Sequence, residues 1–514
     1  MPILTILRGT GRIQREVPQG RLLSDALRDM QAAPAMPCGG NHTCGKCKVR
    51  AEGALSPMGE AERAHLTPQE AADGVRLACF AAAEGDCTVY AAQDAVETLS
   101  WARMPAFQAD GEGYGLAADI GTTTVAVRLY DRARGVPLAE ALEGNRQAAF
   151  GADVISRIGC AGEGQADGIT AAIRTQLAAL AARCMGQAGV KEVSAAVVTG
   201  NTTMLHFYEG LDARGIAAAP FTPTSLFGFD SAHPLCGAPT LLPPCIGSYV
   251  GADIVCALLA SGMPRRPSRL ALLADIGTNG EIALMRDGKL LCCSTAAGPA
   301  FEGAGLHQGM RAAAGAVTGV KLREDGTVEV RVLGGGPAAG LCGSGALDAV
   351  SVMLRLGVID GSGLIDAGYA GQGEITEWDG QPAWKLPGAD VLVTQKDIRQ
   401  IQLAKSAICA GIRTLLEHEG VEASDVEEFY IAGGFGHSMD AGSAAHIGLF
   451  PPELLPKVTV TGNGALAGAA MLLLRGEYRG EAARTAAMAE ELPLSGSDTF
   501  MDYYVDGMLF GEEE

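Results

Sequence analysis

The sequence predicts a multidomain α/β protein: a small β-grasp unit followed by a larger, internally duplicated α/β part. Three observations carry that prediction. The first roughly 90 residues alternate hairpin, helix, Gly-rich loop and short strands. An apolar strand ending in Asp-Ile-Gly-Thr occurs twice, at 116–122 and 272–278. The chain's 514 residues exceed what one ordinary hydrophobic core supports.

The N-terminal unit opens with Ile3-Leu4-Thr5-Ile6-Leu7 and Arg12 to Val17, joined through Gly9-Thr10-Gly11, which reads as a hairpin. Leu22, Leu23, Ala26, Leu27 and Met30 then recur at helical spacing. Next comes Pro37-Cys38-Gly39-Gly40-Asn41-His42-Thr43-Cys44-Gly45-Lys46-Cys47, and later Arg76-Leu77-Ala78-Cys79-Phe80. Short strands follow around Cys47–Val49 and Cys87–Tyr90.

Cys38, Cys44, Cys47 and Cys79 place three thiolates on one Gly-rich loop and a fourth on a later strand. That is a ligand pattern for a 2Fe–2S cluster, since glycines let backbone N–H groups turn toward cluster sulfurs. Tetrahedral Zn²⁺ is the alternative for four cysteines, but structural zinc sites take two close pairs and only Cys44 and Cys47 form one. The first gap of five residues resembles the adrenodoxin-like ferredoxins. Cys87 reads as a small core residue.

Ten further cysteines are scattered without a disulfide-like pattern, which suits a reducing cytosol. No apolar run reaches the roughly 18 residues a membrane helix needs, and the N-terminus lacks a signal-peptide core. The net charge of −20 disfavours nucleic acid and anionic lipid. Neither a nucleic-acid nor a membrane partner is expected; a protein partner is. Boundaries are placed at 1–93 for the cluster domain, 94–115 for an irregular linker and 116–514 for the main part, with lobes at about 116–270 and 271–514.

Within the main part, each Asp-Ile-Gly-Thr turn exposes backbone N–H groups and Thr hydroxyls, donors suited to phosphate oxygens. The Asp at each strand end suits Mg²⁺ held through water. Asp119 and Asp275 are therefore the candidate catalytic, metal-positioning residues, and Gly121, Thr122, Thr123, Gly277, Thr278 and Asn279 the phosphate contacts. Phe429–Ala432 reads as a strand entering Gly433-Gly434, where a base or ribose can approach closely.

Asp-Ile-Gly-Thr twice and then Ala-Gly-Gly resembles the actin-like ATPase superfamily, whose domain is a duplicated ribonuclease-H-like fold. The resemblance implies ATP and Mg²⁺ at the two turns and adenosine at Gly433 and Gly434. Thr199–Met204 and Thr461–Gly468 resemble that superfamily's two connecting motifs, the second with small residues that let helices cross. Leu341–Asp348 is a further glycine turn entering a helix, and packing explains it as well as ligand contact does. Lys396–Gln402 opens an amphipathic helix whose charges read as a solvated face.

A ferredoxin unit fused to an actin-like ATPase is similar to the reductive activators of corrinoid-dependent methyltransferases. Cys38–Asn41, Ala297–Gly303 and Gln395–Arg399 share that family's wording. The resemblance implies an ATP-hydrolysing electron-transfer protein, fed by an upstream low-potential donor, that returns cob(II)amide on a corrinoid protein to cob(I)amide. Glu281 and Glu302 are candidates for activating water. One departure is expected: larger members carry a middle region after the linker, whereas this chain passes directly into Asp119. Three other readings stay open: an electron donor to a radical dehydratase or reductase, a kinase of a small metabolite with a fused redox sensor, and a ferredoxin whose docking is gated by nucleotide.

Overall fold

A computed structural model of the chain describes all residues except 9–10, 31, 33, 35, 37–41, 43–44, 46, 91–103, 435–438 and 512–514. Cys38 and Cys44 lie outside the described residues, as does most of the loop between them.

The N-terminal hairpin forms from Ile3–Arg8 and Gly11–Glu16. Leu23–Asp29 is the helix that the apolar spacing predicts. Strand Ile3–Arg8 runs parallel to Ala82–Tyr90, which pairs in turn with Lys48–Leu55. This is a β-grasp sheet with the helix on one face. Leu4, Ile6, Leu23, Leu27, Leu77 and Val89 fill its core, and Cys87 is buried among them, as its residue type suggests.

The larger part contains two sheets of the same design. In the first, Tyr114–Ile120, Thr124–Asp131 and Val136–Gly144 form an antiparallel meander, and Ala195–Gly200 adds parallel to Tyr114–Ile120. In the second, Ala271–Ile276, Gly280–Arg286 and Lys289–Thr295 repeat the meander, and Glu428–Ala432 adds parallel to Ala271–Ile276. The outer strands Thr240–Leu242 and Val458–Gly462 extend the two sheets equivalently. The duplication legible in two short turns thus spans five strands on each side.

Helices Ala252–Ser261 and Gly464–Leu474 follow those outer strands and cross each other. A Cβ on Gly468 would lie 2.0 Å from the carbonyl oxygen of Cys256, so the crossing requires glycine. The close crossing expected of the second connecting motif is therefore present. Its partner, however, is Ala252–Ser261 rather than the helix Thr202–Glu209 that follows Thr199-Gly200-Asn201. The two Thr-Gly-Asn triplets occupy different places in the repeat: one ends the strand equivalent to Glu428–Ala432, the other the strand equivalent to Thr240–Leu242.

Two other expectations resolve through packing. Cβ atoms on Gly343 and Gly345 would meet the carbonyl oxygens of Phe301 and Val317 at 1.7 and 2.1 Å, so these glycines admit backbone, not ligand. Helix Gln395–Glu419 exposes Lys396 and Arg399 as the sequence suggests, but Asp397 departs from that face: it is buried, capping the helix through Thr394 and accepting a hydrogen bond from the His307 amide at 2.6 Å. The segment Phe500–Tyr504 lies in helix Asp498–Asp506, packed on Gln395–Glu419. The cluster domain meets the first lobe where the Met36 amide donates to the Ala148 carbonyl at 3.1 Å and Arg28 lies 5.2 Å over the Phe150 ring.

Candidate functional site

Of the four candidate cluster ligands, the described Cys47 and Cys79 come together. Cys47 immediately precedes strand Lys48–Leu55, and Cys79 lies between Val75–Leu77 and Ala82–Tyr90. Their Sγ atoms are 3.2 Å apart and both residues are buried. The His42 ring, stacked on Phe80 at 4.2 Å between centroids, is hydrogen-bonded through Nε2 to the Cys79 carbonyl at 2.8 Å. Gly45 has φ +61°, and a Cβ there would lie 2.9 Å from the Cβ of His65. Two buried, adjacent sulfurs beside a backbone turn that only glycine fits are a donor set suited to an iron–sulfur cluster.

The two Asp-Ile-Gly-Thr turns face each other across the lobes. Thr123 Oγ1 and Thr278 Oγ1 are 3.0 Å apart. Both hydroxyls donate to Glu302 Oε2, Thr278 at 2.9 Å and Thr123 at shorter range. Each turn is closed locally, by the Gly121 amide on the Thr124 carbonyl at 2.9 Å and by the Gly277 amide on the Asn279 carbonyl at 3.0 Å. Asn145 braces the first turn twice, its amide donating to the Thr123 carbonyl at 2.7 Å and its Nδ2 to the Gly121 carbonyl at 2.8 Å. Asn201 Nδ2 donates to Thr122 Oγ1 at 3.1 Å. Beneath the turn, fully buried Arg157 donates to the Thr122 carbonyl at 2.6 Å.

Asp119 and Asp275 sit at the ends of equivalent strands. Asp119 accepts from Asn463 Nδ2 at 2.9 Å, and Asn463 also caps helix Gly464–Leu474. Gly433 has φ +97°, and a Cβ there would lie 2.5 Å from the Ile276 carbonyl oxygen and 2.8 Å from Asp275 Oδ1. It thus brings its turn against the second Asp-Ile-Gly-Thr. No atom crowds a Cβ on Gly434, which faces open space.

Sequence reasoning missed Asp253. It stands in the first turn of helix Ala252–Ser261, just past Gly251, whose Cβ would lie 2.5 Å from the Asn201 Cα. Nothing in a stretch reading Val250-Gly251-Ala252-Asp253 marks it; only the crossing of the connecting helices brings it near the strand ends. Burial first, and then the charges of Asp275 and Asp119, push its carboxyl up to about 8. Burial pushes Asp275 up to about 7, with Asp119 and Glu302 adding to the rise. Asp119 rises to about 6 through burial, opposed by its bond from Asn463. Glu281 is raised by burial, Asp253 and Asp275, and Glu302 by burial, against its Thr123 and Thr278 bonds.

Such a collection of buried acids binds either protons or a cation. Among the described residues no three acids, histidines or cysteines stand at the spacing of direct metal ligands. A hydrated Mg²⁺, held through its waters, fits that arrangement. The pH dependence follows. A carboxyl raised on folding adds stability that is complete below the unfolded value of about 4 and lost as pH rises through the folded value. The nucleotide-free chain should therefore lose thermal stability as pH rises from about 5 to 8, through the values of Asp119, Asp275 and Asp253. MgADP should flatten that slope, because the cation replaces the protons. Melting temperatures across this range, with and without MgADP, measure it; a slope unaltered by MgADP would refute a cation at these acids.

Comparison with known proteins agrees with this anatomy. Residues 6–84 match the family described as a 2Fe-2S iron-sulfur cluster binding domain, 114–266 the RACo middle region, and 269–514 the C-terminal domain of RACo, the ASKHA domain. The second match overturns the expectation that a middle region is lacking. The stretch from the linker's end through the first lobe is itself the segment so described. The corrinoid activation enzyme RamQ of Eubacterium limosum is 37% identical over 432 residues, covering 80% of this chain and 72% of its own. The Co(II) methylated amine-specific corrinoid protein reductase of Methanosarcina barkeri is 26% identical over 358 residues, 62% of each chain. A solved structure of a reductive activator for corrinoid, iron-sulfur protein superposes with a TM-score of 0.72 at 29% identity, covering 99% of this chain and 98% of the other. Among the described residues, no helix is long and apolar enough to cross a membrane.

Proposed function

This chain belongs to the family of reductive activators of corrinoid proteins, and on that premise we propose how its residues couple ATP to electron delivery. Its activity is the ATP-dependent reduction of a partner's cob(II)amide to cob(I)amide. The observation that carries the mechanism is the meeting of Thr123 and Thr278, one from each lobe, on the single carboxylate of Glu302.

Cys38, Cys44, Cys47 and Cys79 would hold the 2Fe–2S cluster by their thiolates, and when bound it would supply one electron at a time. Plant-type centres lie near roughly −400 mV. The cob(II)/cob(I) couple is expected to lie lower, and each ~59 mV of uphill one-electron transfer costs about 1.4 kcal/mol. Nucleotide offsets such a gap only by favouring one conformation of the complex over another.

The chain's own residues provide the means. Gly121, Thr122, Thr123, Gly277, Thr278 and Asn279 hold the phosphates from both lobes, so that closure is sensed at one point. Asp119 and Asp275, with Asp253 beside them, orient the hydrated cation. Gly433 seats its turn against Asp275, and Gly434, open on its Cβ side, leaves room for adenosine. Glu302, its carboxyl raised by burial, is the group between the turns that can take a proton from water. We place the working boundaries at 1–93, 94–115 and 116–514, and the protein in the cytoplasm, where its ten other cysteines stay reduced.

The test is anaerobic. The reduced protein is mixed with a cob(II)-form corrinoid protein from the same organism, with and without MgATP, and the visible spectrum recorded. Conversion to the cob(I) spectrum only with MgATP is expected. Asp275→Ala should keep the iron–sulfur spectrum and lose the conversion; full conversion by that variant would remove Asp275 from the site. Conversion of the wild type without ATP would favour a ferredoxin gated by nucleotide. None at all, with an intact cluster, would favour a donor to a radical enzyme.

A further inference from the structure

The loop Ala297–Arg311 does more than deliver Glu302. The residues next to Glu302 and Arg311 are locked together through glycine: a Cβ on Gly303 would lie 2.2 Å from the Met310 carbonyl oxygen, and one on Gly309 would lie 2.1 Å from the Gly303 carbonyl oxygen. The Met310 amide is tied to the Leu341 carbonyl at 2.9 Å. Glu302 and Arg311 are therefore carried on one compact unit of the second lobe.

Arg311 reaches across to the first lobe. Its Nη2 donates to the Thr123 carbonyl at 3.2 Å. The guanidinium rests where residue 144 has no side chain: a Cβ on Gly144 would lie 2.3 Å from Nη1 and 2.7 Å from Nη2. The positive charge also acts on Glu302, opposing the rise that burial causes in that carboxyl.

Among the described residues, the cations bonded to these two turns are Arg157 and Arg311. Arg157 is fully buried and already engaged with the carbonyls of Gly151 and Thr122, so it braces the turn from behind. Arg311 is exposed on the cleft side, with one carbonyl bond and donors to spare. A triphosphate entering among five partly or fully buried acids brings more negative charge than one Mg²⁺ neutralises, and a second cation at the turn answers that need.

We propose that Arg311, seated on Gly144, is the positively charged group that the second lobe brings to the terminal phosphate of ATP. The inference deepens the nucleotide-site reading and rests on it. In hydrolysis, water oxygen bonds to the terminal phosphorus and the bond to the bridging oxygen breaks. ADP keeps that electron pair and one proton is released. Arg311 neither gives nor takes a proton; it balances charge on the phosphoryl oxygens and leaving group. Because it also spans the lobes, its contact registers whether the terminal phosphate is present.

The experiment compares the full-length, cluster-loaded wild type with Arg311→Ala, Arg311→Lys and Gly144→Ala. Affinities for ADP and for a non-hydrolysable ATP analogue are measured by calorimetry, and kcat and KM for MgATP hydrolysis are determined separately. The visible cluster spectrum and melting temperature serve as folding controls. Arg311→Ala should bind ADP within about threefold of wild type, bind the triphosphate analogue about tenfold more weakly and lower kcat about 100-fold. Arg311→Lys should recover part of the affinity and less of the rate, since an ammonium lacks the planar fork. Gly144→Ala keeps the charge but puts a methyl group in its seat, and should show the same pattern at smaller size.

An unchanged analogue-to-ADP ratio and kcat in Arg311→Ala would overturn the proposal. Equal losses for ADP and the analogue would overturn it too, since they describe a clasp between lobes. A wild type that binds neither nucleotide would instead overturn the nucleotide-site reading itself.

Discussion

Alanine at Cys79 is expected to yield a colourless protein that still binds MgATP. The Cys79 sulfur lies 3.2 Å from that of Cys47, buried beneath the His42–Phe80 stack, in a place that no solvent ligand reaches easily. Without that thiolate the cluster would lose one of its four proposed cysteine ligands, and visible absorption and electron transfer should fall to background. The β-grasp core is built from Leu4, Ile6, Leu23, Leu27 and Val89, so the domain itself should persist. The turns proposed to bind ATP lie more than forty residues further on, so ATP binding should be close to wild type. Iron content, the visible spectrum and nucleotide calorimetry on one preparation separate the two functions. A full visible spectrum in the variant would mean that the cluster is held by other residues.

The second large effect is at the crossing of the connecting helices. Gly468→Ala would ordinarily stabilise a helix interior by about 1 kcal/mol through propensity. Here the new methyl would lie 2.0 Å from the Cys256 carbonyl oxygen and 2.4 Å from its Cα, both backbone atoms with no rotamer to yield. The helices must separate, at a cost of roughly 1–3 kcal/mol from overpacking that outweighs the propensity gain. Separation there moves Asn463, which caps helix Gly464–Leu474 and holds Asp119, and Asp253 on the facing helix. Chemical denaturation should show the loss of stability, and ADP affinity should fall about tenfold or more. Alanine with wild-type stability and affinity would show that the crossing is looser than the structure describes.

Both predictions draw on features of unequal visibility in the sequence. The three loop cysteines, the two Asp-Ile-Gly-Thr turns and the Gly-Gly turn are local: each needs particular residue types at close spacing, because thiolate, hydroxyl and backbone donors must converge within a short loop. The duplicated strands around Asp119 and Asp275 were legible for the same reason, as apolar runs ending in a polar turn. The glycine turn at Leu341–Asp348 and the charges opening helix Gln395–Glu419 were ambiguous. Whether a glycine admits backbone or ligand, and whether Asp397 caps or is solvated, depends on what packs against it.

Sequence by itself determined the order of parts and pointed to a 2Fe–2S cluster and to ATP, because the loop cysteines and each Asp-Ile-Gly-Thr turn are properties of short segments. Tertiary structure alone decided that Thr123 and Thr278 meet on Glu302, that Asp253 joins the acids, that Ala252–Ser261 is the helix crossing Gly464–Leu474, and that Arg311 rests on Gly144. Those juxtapositions join residues from 22 to well over a hundred positions apart in the chain. Nothing in either member signals its partner; folding two similar lobes face to face brings them together, and the burial that results raises the acids toward a pH where a cation can replace their protons.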